Sequence, residues 1–189
     1  TVALPLAVIG RFTGLRAHQI LAIRVRDVVL VESCLTITAG KSRREKAERR
    51  TVPISTHLRD YLVPMVADRD PSEPVIRRRS DVRGNNRGGP SRTVREAWEA
   101  TTAEGKARRE VWDPPGRGCS RPDHSLRAAF QAHLVDAGVR DEVIDLLVGH
   151  AGGLRGRHYV DASARWGAMV AAVALIPPIE WGQADALPD

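Results

Sequence analysis

The chain has 189 residues, 42% of them hydrophobic, with 29 Lys and Arg against 23 Asp and Glu and a net charge of +6. That is the length of one domain with enough apolar content for a core, so a disordered tail and a disulfide-stapled miniprotein are both excluded. Cys34 and Cys119 are the only cysteines and carry no CxxC or Cys/His spacing, which argues against a structural zinc and for a reducing cytoplasm. No apolar run reaches the roughly 18 residues of a membrane span, and TVALPLAVIG lacks the basic start of a signal peptide, so no membrane partner is expected.

Twenty-six of the positive residues are arginines and only Lys41, Lys46 and Lys106 are lysines. A coding bias towards Arg, Ala and Gly accounts for part of this, but the distribution is uneven. Residues 41–50 (KSRREKAERR) hold six positive and two negative charges, and residues 77–95 hold seven arginines against Asp81 alone. Two such patches attract a polyanion and release its counterions. Aromatic residues make up 4% of the chain, too few for base-stacking platforms, so duplex DNA is the expected partner. The candidate DNA contacts are Arg43, Arg44 and Lys46 in the first patch and Arg77, Arg78 and Arg79 in the second.

Along the chain, LPLAVIGRF reads as the middle of an apolar helix, and Thr1 suggests a fragment of a longer protein. After Gly14, Arg16 to Arg24 places Ile20, Leu21 and Ile23 at helical spacing, with Asp27 closing a turn. DVVLV, CLTIT and RRTVPI read as strands, the last two forming a hairpin with a long basic tip. Ser55 is placed to cap a helix bearing Leu58, Leu62 and Met65 or Val66 on one face, with Pro64 near its end at Ala67. Residues 70–92 read as an irregular connector, and a helix follows from Ser91 with Val94, Ala97, Trp98 and Thr101 on one side. Beyond the loop DPPGRGCSRPD, helices are expected over His124 to Ala137, stopped by Gly138, over Asp141 to Val148, stopped by Gly149, and over Ser163 to Ile176. PPIEWGQADALPD is a Pro-broken acidic tail. The expected fold is α+β, mainly α, with one small sheet.

Chemistry concentrates around HSLR, where His124 and Arg127 stand three apart on one helix face. Alone, such a pair is equally a solvated surface. Its company is more telling: GLR at Gly14–Arg16 joins two helices, Gly40–Lys41 follows a strand, Gly149–His150 follows a helix stop, and Tyr159 lies nine residues further on.

Taken in order, these segments resemble the tyrosine recombinases, or phage-type integrases. TGLRAHQILAIRVRDV is similar to the family's first arginine box, TITAGKSRREKAERRTVPI to its lysine hairpin, and HSLRAAFQAHLVDAGVRDEVIDLLVGHAGGLRGRHYV to its second box through to the tyrosine. Arg127 to His150 is 23 positions and His150 to Tyr159 is nine, as in the family pattern. The resemblance implies an integrase-type catalytic domain over residues 1–176, with a three-stranded antiparallel sheet packed on a helical core, and a tail over residues 177–189. It also implies that the family's N-terminal DNA-clamping domain is not in this chain.

The roles implied follow the chemistry of a phosphate under attack. Arg16 and Arg127 present planar donor forks to its non-bridging oxygens, and fixed cations in a preorganised pocket lower the barrier. Tyr159 is the implied nucleophile, forming a 3′-phosphotyrosine link. His124 accepts its proton, Lys41 protonates the departing 5′ oxygen, and His150 donates to the same phosphate. No metal, ATP or other cofactor is implied. The expected setting is a bacterial or phage-encoded cytoplasmic protein at the nucleoid, and the expected assembly of the full-length protein is a tetramer on two DNA duplexes. Three departures stand out: Gln19 where an acidic residue is usual, Ala128 and Ala129 in place of His and Thr or Ser, and Gly152, Gly153 and Gly156 before the tyrosine. They keep open the alternative of a decayed DNA-binding remnant.

Overall fold

The computed structural model describes residues 3–39, 48–77, 122–150 and 162–179. Helix α1 (Ala3–Thr13) buries Leu6, Val8, Ile9 and Phe12, as its apolar sequence requires. It stops at Gly14, whose φ of 61° belongs to the left-handed region and whose N–H still reaches Gly10 O at 2.9 Å. Helix α2 (Ala17–Ala22) begins at once, its first turn closed by Gln19, whose Oε1 accepts the Arg16 N–H at 3.0 Å. The expected helix over Arg16 to Arg24 is thus shorter at its end. Ile23 is extended and buried, its carbonyl accepts from Val75 N at 2.9 Å, and Arg24 bridges Pro74. Asp27 does close the turn expected of it: a 3₁₀ turn spans Val25–Asp27, and the carboxylate accepts the Arg24 N–H at 2.9 Å.

Strands β1 (Val28–Val29), β2 (Cys34–Ala39) and β3 (Glu48–Pro53) form an antiparallel sheet in that order. Strand β1 is shorter than DVVLV because the chain already turns at Leu30, which accepts from Ser33 N at 3.2 Å. Registers Leu35↔Val52 and Ile37↔Arg50 put Leu35, Ile37 and Val52 in the core. The tip of the β2–β3 hairpin lies outside the described residues.

Helix α3 (Thr56–Val66) is capped by Ser55, whose Oγ accepts from Leu58 N at 3.3 Å, and buries Leu58 and Leu62. The residues after it are less irregular than their composition suggests. The Arg69 guanidinium donates to Met65 O at 2.7 Å, Pro74 O at 2.6 Å and Val75 O at 3.0 Å, folding 69–75 into a compact turn. The remainder of the expected connector and the helix expected from Ser91 lie outside the described residues.

Helices α4 (Pro122–Asp136), α5 (Asp141–Val148) and α6 (Ala162–Ala174) complete the fold. Gly138 and Gly149 take positive φ of 75° and 68° where the sequence places helix stops. Helix α1 packs on α4, α5 on α6, and α6 on β3. Phe130, Leu134, Leu147, Leu35 and Ile176 lie at the centre, each worth about 1.5–3 kcal/mol of burial. The architecture is the one expected, a mainly helical domain carrying a small three-stranded antiparallel sheet. Among the described residues no helix is long and apolar enough to cross a membrane.

Candidate functional site

An α-helix leaves its last four carbonyls without partners inside the helix, and that end carries partial negative charge. Helix α5 meets this need with side chains from other elements. Asp145 O accepts from Gly149 N at 2.9 Å and from His150 N at 3.0 Å, in the turn that the left-handed Gly149 permits. Arg50, from β3, donates through Nη1 to Leu146 O at 2.9 Å and Leu147 O at 2.7 Å. Arg127, from α4, donates through Nη1 to Val148 O at 2.9 Å.

Arg127 links this end to the corner between α1 and α2. The same Nη1 donates to Gly14 O at 2.8 Å, and Phe130, one turn further along α4, packs its ring against Gly14. An added Cβ at Gly14 would lie 2.5 Å from Phe130 Cδ1, so the corner needs glycine for space as well as for φ. Arg16 leaves this corner at the start of α2, its backbone held by Gln19.

The Arg127 side chain is buried, with the residue 5% exposed, yet its Nη2 is buried without a hydrogen-bond partner among the described residues. Burial, and next the positive charges of Arg16 and Arg50, push its guanidinium down to about 10, with Asp145 acting in the opposite direction. Two further guanidinium charges, those of Arg16 and Arg50, therefore lie within electrostatic reach of Arg127. His150 stands beside them, its Nδ1 2.9 Å from Asp145 Oδ1, both side chains 43% exposed. A buried donor left unmatched in a field of like charge is suited to an oxyanion, which offers acceptors and relieves the repulsion.

Of the residues singled out in the sequence, Arg16, Arg127 and His150 are thus gathered around the α1–α2 corner and the end of α5. His124 lies in α4, three residues before Arg127, and its side chain is outside the described residues, as are Lys41 and Tyr159 altogether. Arg43, Arg44, Lys46, Arg78 and Arg79 also fall outside. Arg77 is exposed and already engaged, with Nη2 2.5 Å from Glu73 Oε2, and Arg77 before Arg69 holds the Glu73 carboxyl below its usual range. Among the described residues no three His, Cys, Asp or Glu side chains gather as a metal site.

Two residues of the cluster escaped the sequence reading. Arg50 was submerged in a run of charge, although its place two residues before the buried Val52 puts it on the core-facing side of β3. Asp145 gave no signal, because its meeting with His150 depends on the turn at Gly149.

Residues 6–165 match the phage integrase family, and the chain belongs to it. Within that family it is related to tyrosine recombinases. It is 22% identical over 145 residues to tyrosine recombinase XerA of Pyrococcus furiosus, covering 74% of this chain and 43% of that protein. It is 27% identical over 146 residues to tyrosine recombinase XerD of Ralstonia nicotianae, covering 74% of this chain and 41% of the relative. The chain therefore spans less than half the length of these relatives. Among solved structures, the fold is similar to the integrase from mycobacterium phage Brujita, with a TM-score of 0.59 at 19% identity over 97% of this chain and 54% of that one. It is also similar to the XerA recombinase, with a TM-score of 0.54 at 18% identity over 87% of this chain and 54% of the other.

Proposed function

We propose that residues 1–176 supply the catalytic domain of a recombinase that cuts and rejoins duplex DNA through a 3′-phosphotyrosine intermediate, with residues 177–189 as a tail. One observation carries the reading: Arg127 is anchored on one side by Gly14 O and Val148 O, while its buried Nη2 has no partner among the described residues. A scissile phosphate supplies the missing acceptor, and its charge offsets the mutual repulsion of the arginines.

In this mechanism Arg127 and Arg16 bind the non-bridging oxygens and stabilise the charge that grows as the phosphorus becomes five-coordinate. His150, oriented by Asp145, donates to the same group. Tyr159 attacks, His124 takes the phenolic proton, and Lys41 gives a proton to the departing 5′ oxygen. The phosphotyrosyl bond keeps the energy of the broken phosphodiester, so a 5′ hydroxyl religates it without ATP. Metal ions and other cofactors have no part in this scheme. The DNA partner is the duplex, held by the basic patches that include Arg43, Arg44, Lys46, Arg77, Arg78 and Arg79, and the working assembly of the full-length protein is a homo-oligomer on two duplexes.

The test is covalent capture on a pool of random-sequence duplexes nicked at varied positions, so that cleavage near a nick releases a short strand and traps the link, read as a denaturant-resistant protein–DNA band. The unaltered chain is expected to form the band, and Tyr159→Phe to lose it while retaining duplex binding. Persistence of the band in Tyr159→Phe would remove Tyr159 as the nucleophile. Duplex binding with no band in either protein would mark a non-enzymatic remnant.

A further inference from the structure

We infer that Arg50 is a positioning residue of this site, fixing the end of α5 from which Arg127 and His150 meet the phosphate. The inference rests on the phosphate-site reading above and adds a residue that the motif pattern leaves out.

Arg50 pairs with Ile37 in the sheet and shares a strand face with Val52, both of them core residues. Arg50 is half-buried there, and a guanidinium drawn out of water needs strong acceptors. Its Nη1 finds them in two consecutive carbonyls of the last turn of α5, Leu146 O and Leu147 O. The next carbonyl, Val148 O, is the one that anchors Arg127. Movement at the first pair therefore moves the anchor of the second arginine, and the following two residues are Gly149 and His150.

Gly149 supplies a second, independent observation. A Cβ built there would fall 2.6 Å from Arg50 Cζ, 2.7 Å from Nε and 2.8 Å from Nη2. The guanidinium thus lies directly against the Gly149 backbone and holds the turn by packing as well as by hydrogen bonds. Its charge also faces Arg127, whose depressed basicity it helps to cause. Arg50 acts on the phosphate through these neighbours: it sets where Arg127 and His150 stand, and it adds positive field behind them.

The experiment follows the Arg127 guanidinium signals of arginine-labelled chain by NMR, assigned with Arg127→Lys, during titration with inorganic phosphate. Arg50→Met keeps the apolar stem and removes the charge and donors, whereas Arg50→Lys restores a cation that can reach the carbonyls. The expected result is an apparent phosphate affinity lower by about tenfold or more in Arg50→Met and largely restored in Arg50→Lys, because small displacements of a fixed cation are costly at such a site. A role in stability alone would lower the melting temperature without separating the two phosphate affinities, and equal affinities in folded Arg50→Met and unaltered chain would overturn the inference. Should Arg50→Met not fold, Gly149→Ala displaces the same guanidinium by contact, and unchanged phosphate affinity in that variant would overturn it equally. Failure of the unaltered chain's Arg127 signals to respond to phosphate would instead sink the phosphate-site reading itself, and the role of Arg50 with it.

Discussion

The Arg127 guanidinium is held down to about 10, well below the ordinary arginine value, by burial, then by Arg16 and Arg50. For a cation lowered in this way, the unfolded chain binds more protons than the folded one between about 10 and the ordinary arginine value. Folding stability is therefore expected to rise with pH across that window, and the cost of the buried charge is fully present below it. A phosphate beside Arg127 acts in the opposite sense, favouring the charged form and drawing the titration back up towards the ordinary arginine range. Carbon NMR of the Arg127 guanidinium against pH, with and without phosphate, is expected to show this upward movement. A midpoint that phosphate leaves unmoved would contradict an anion site at Arg127. At this scale the sequence was legible in placement: motif spacing singles out Arg16, Arg127 and His150, and the fold brings them to one corner and one helix end. It was illegible at Arg50, because a charged run conceals which of its members faces inward until strand register is known.

Elements meet at corners, and the sharpest is the turn from α1 into α2. Gly14 combines a φ of 61° with a Cβ position 2.5 Å from the Phe130 ring. Gly14→Ala adds left-handed strain and a clash with a rigid aromatic, together expected to cost about 3 kcal/mol. Urea unfolding is the measurement: a lowered midpoint with an unchanged slope is expected, and a loss below about 0.5 kcal/mol would show that the corner yields easily. Helix existence and helix stops were legible from apolar spacing and from Gly138 and Gly149. The end of α2 was not. Ile23 fits a helical stripe, yet it is buried equally well in extended form, and the backbone bond from Val75 to Ile23 decides between the two. The same holds for residues 69–75, where Gly- and Pro-rich neighbours suggest irregularity and one arginine, Arg69, supplies the order.

For the molecule as a whole, a net charge of +6 overstates what faces a partner. Arg24, Arg50, Arg59, Arg69 and Arg127 donate to backbone carbonyls, and Arg77 is paired with Glu73. At least six of the twelve arginines among the described residues are thus engaged within the fold, which leaves a smaller set for the proposed contacts with DNA. Duplex affinity is expected to decline linearly with the logarithm of salt at about −0.9 per phosphate contacted, and a slope shallower than about −3 would remove the duplex as the principal partner. The end of α5 also sets a length. With all four terminal carbonyls engaged, His150 is a fixed post, and covalent geometry limits the distance from it to Tyr159, nine residues on, to about 30 Å. A folded chain of this size has a radius of gyration of about 16 Å. Nine residues can therefore bridge more than that radius, so in the proposed mechanism the anchorage at His150, rather than the length of chain beyond it, decides which arginines Tyr159 reaches.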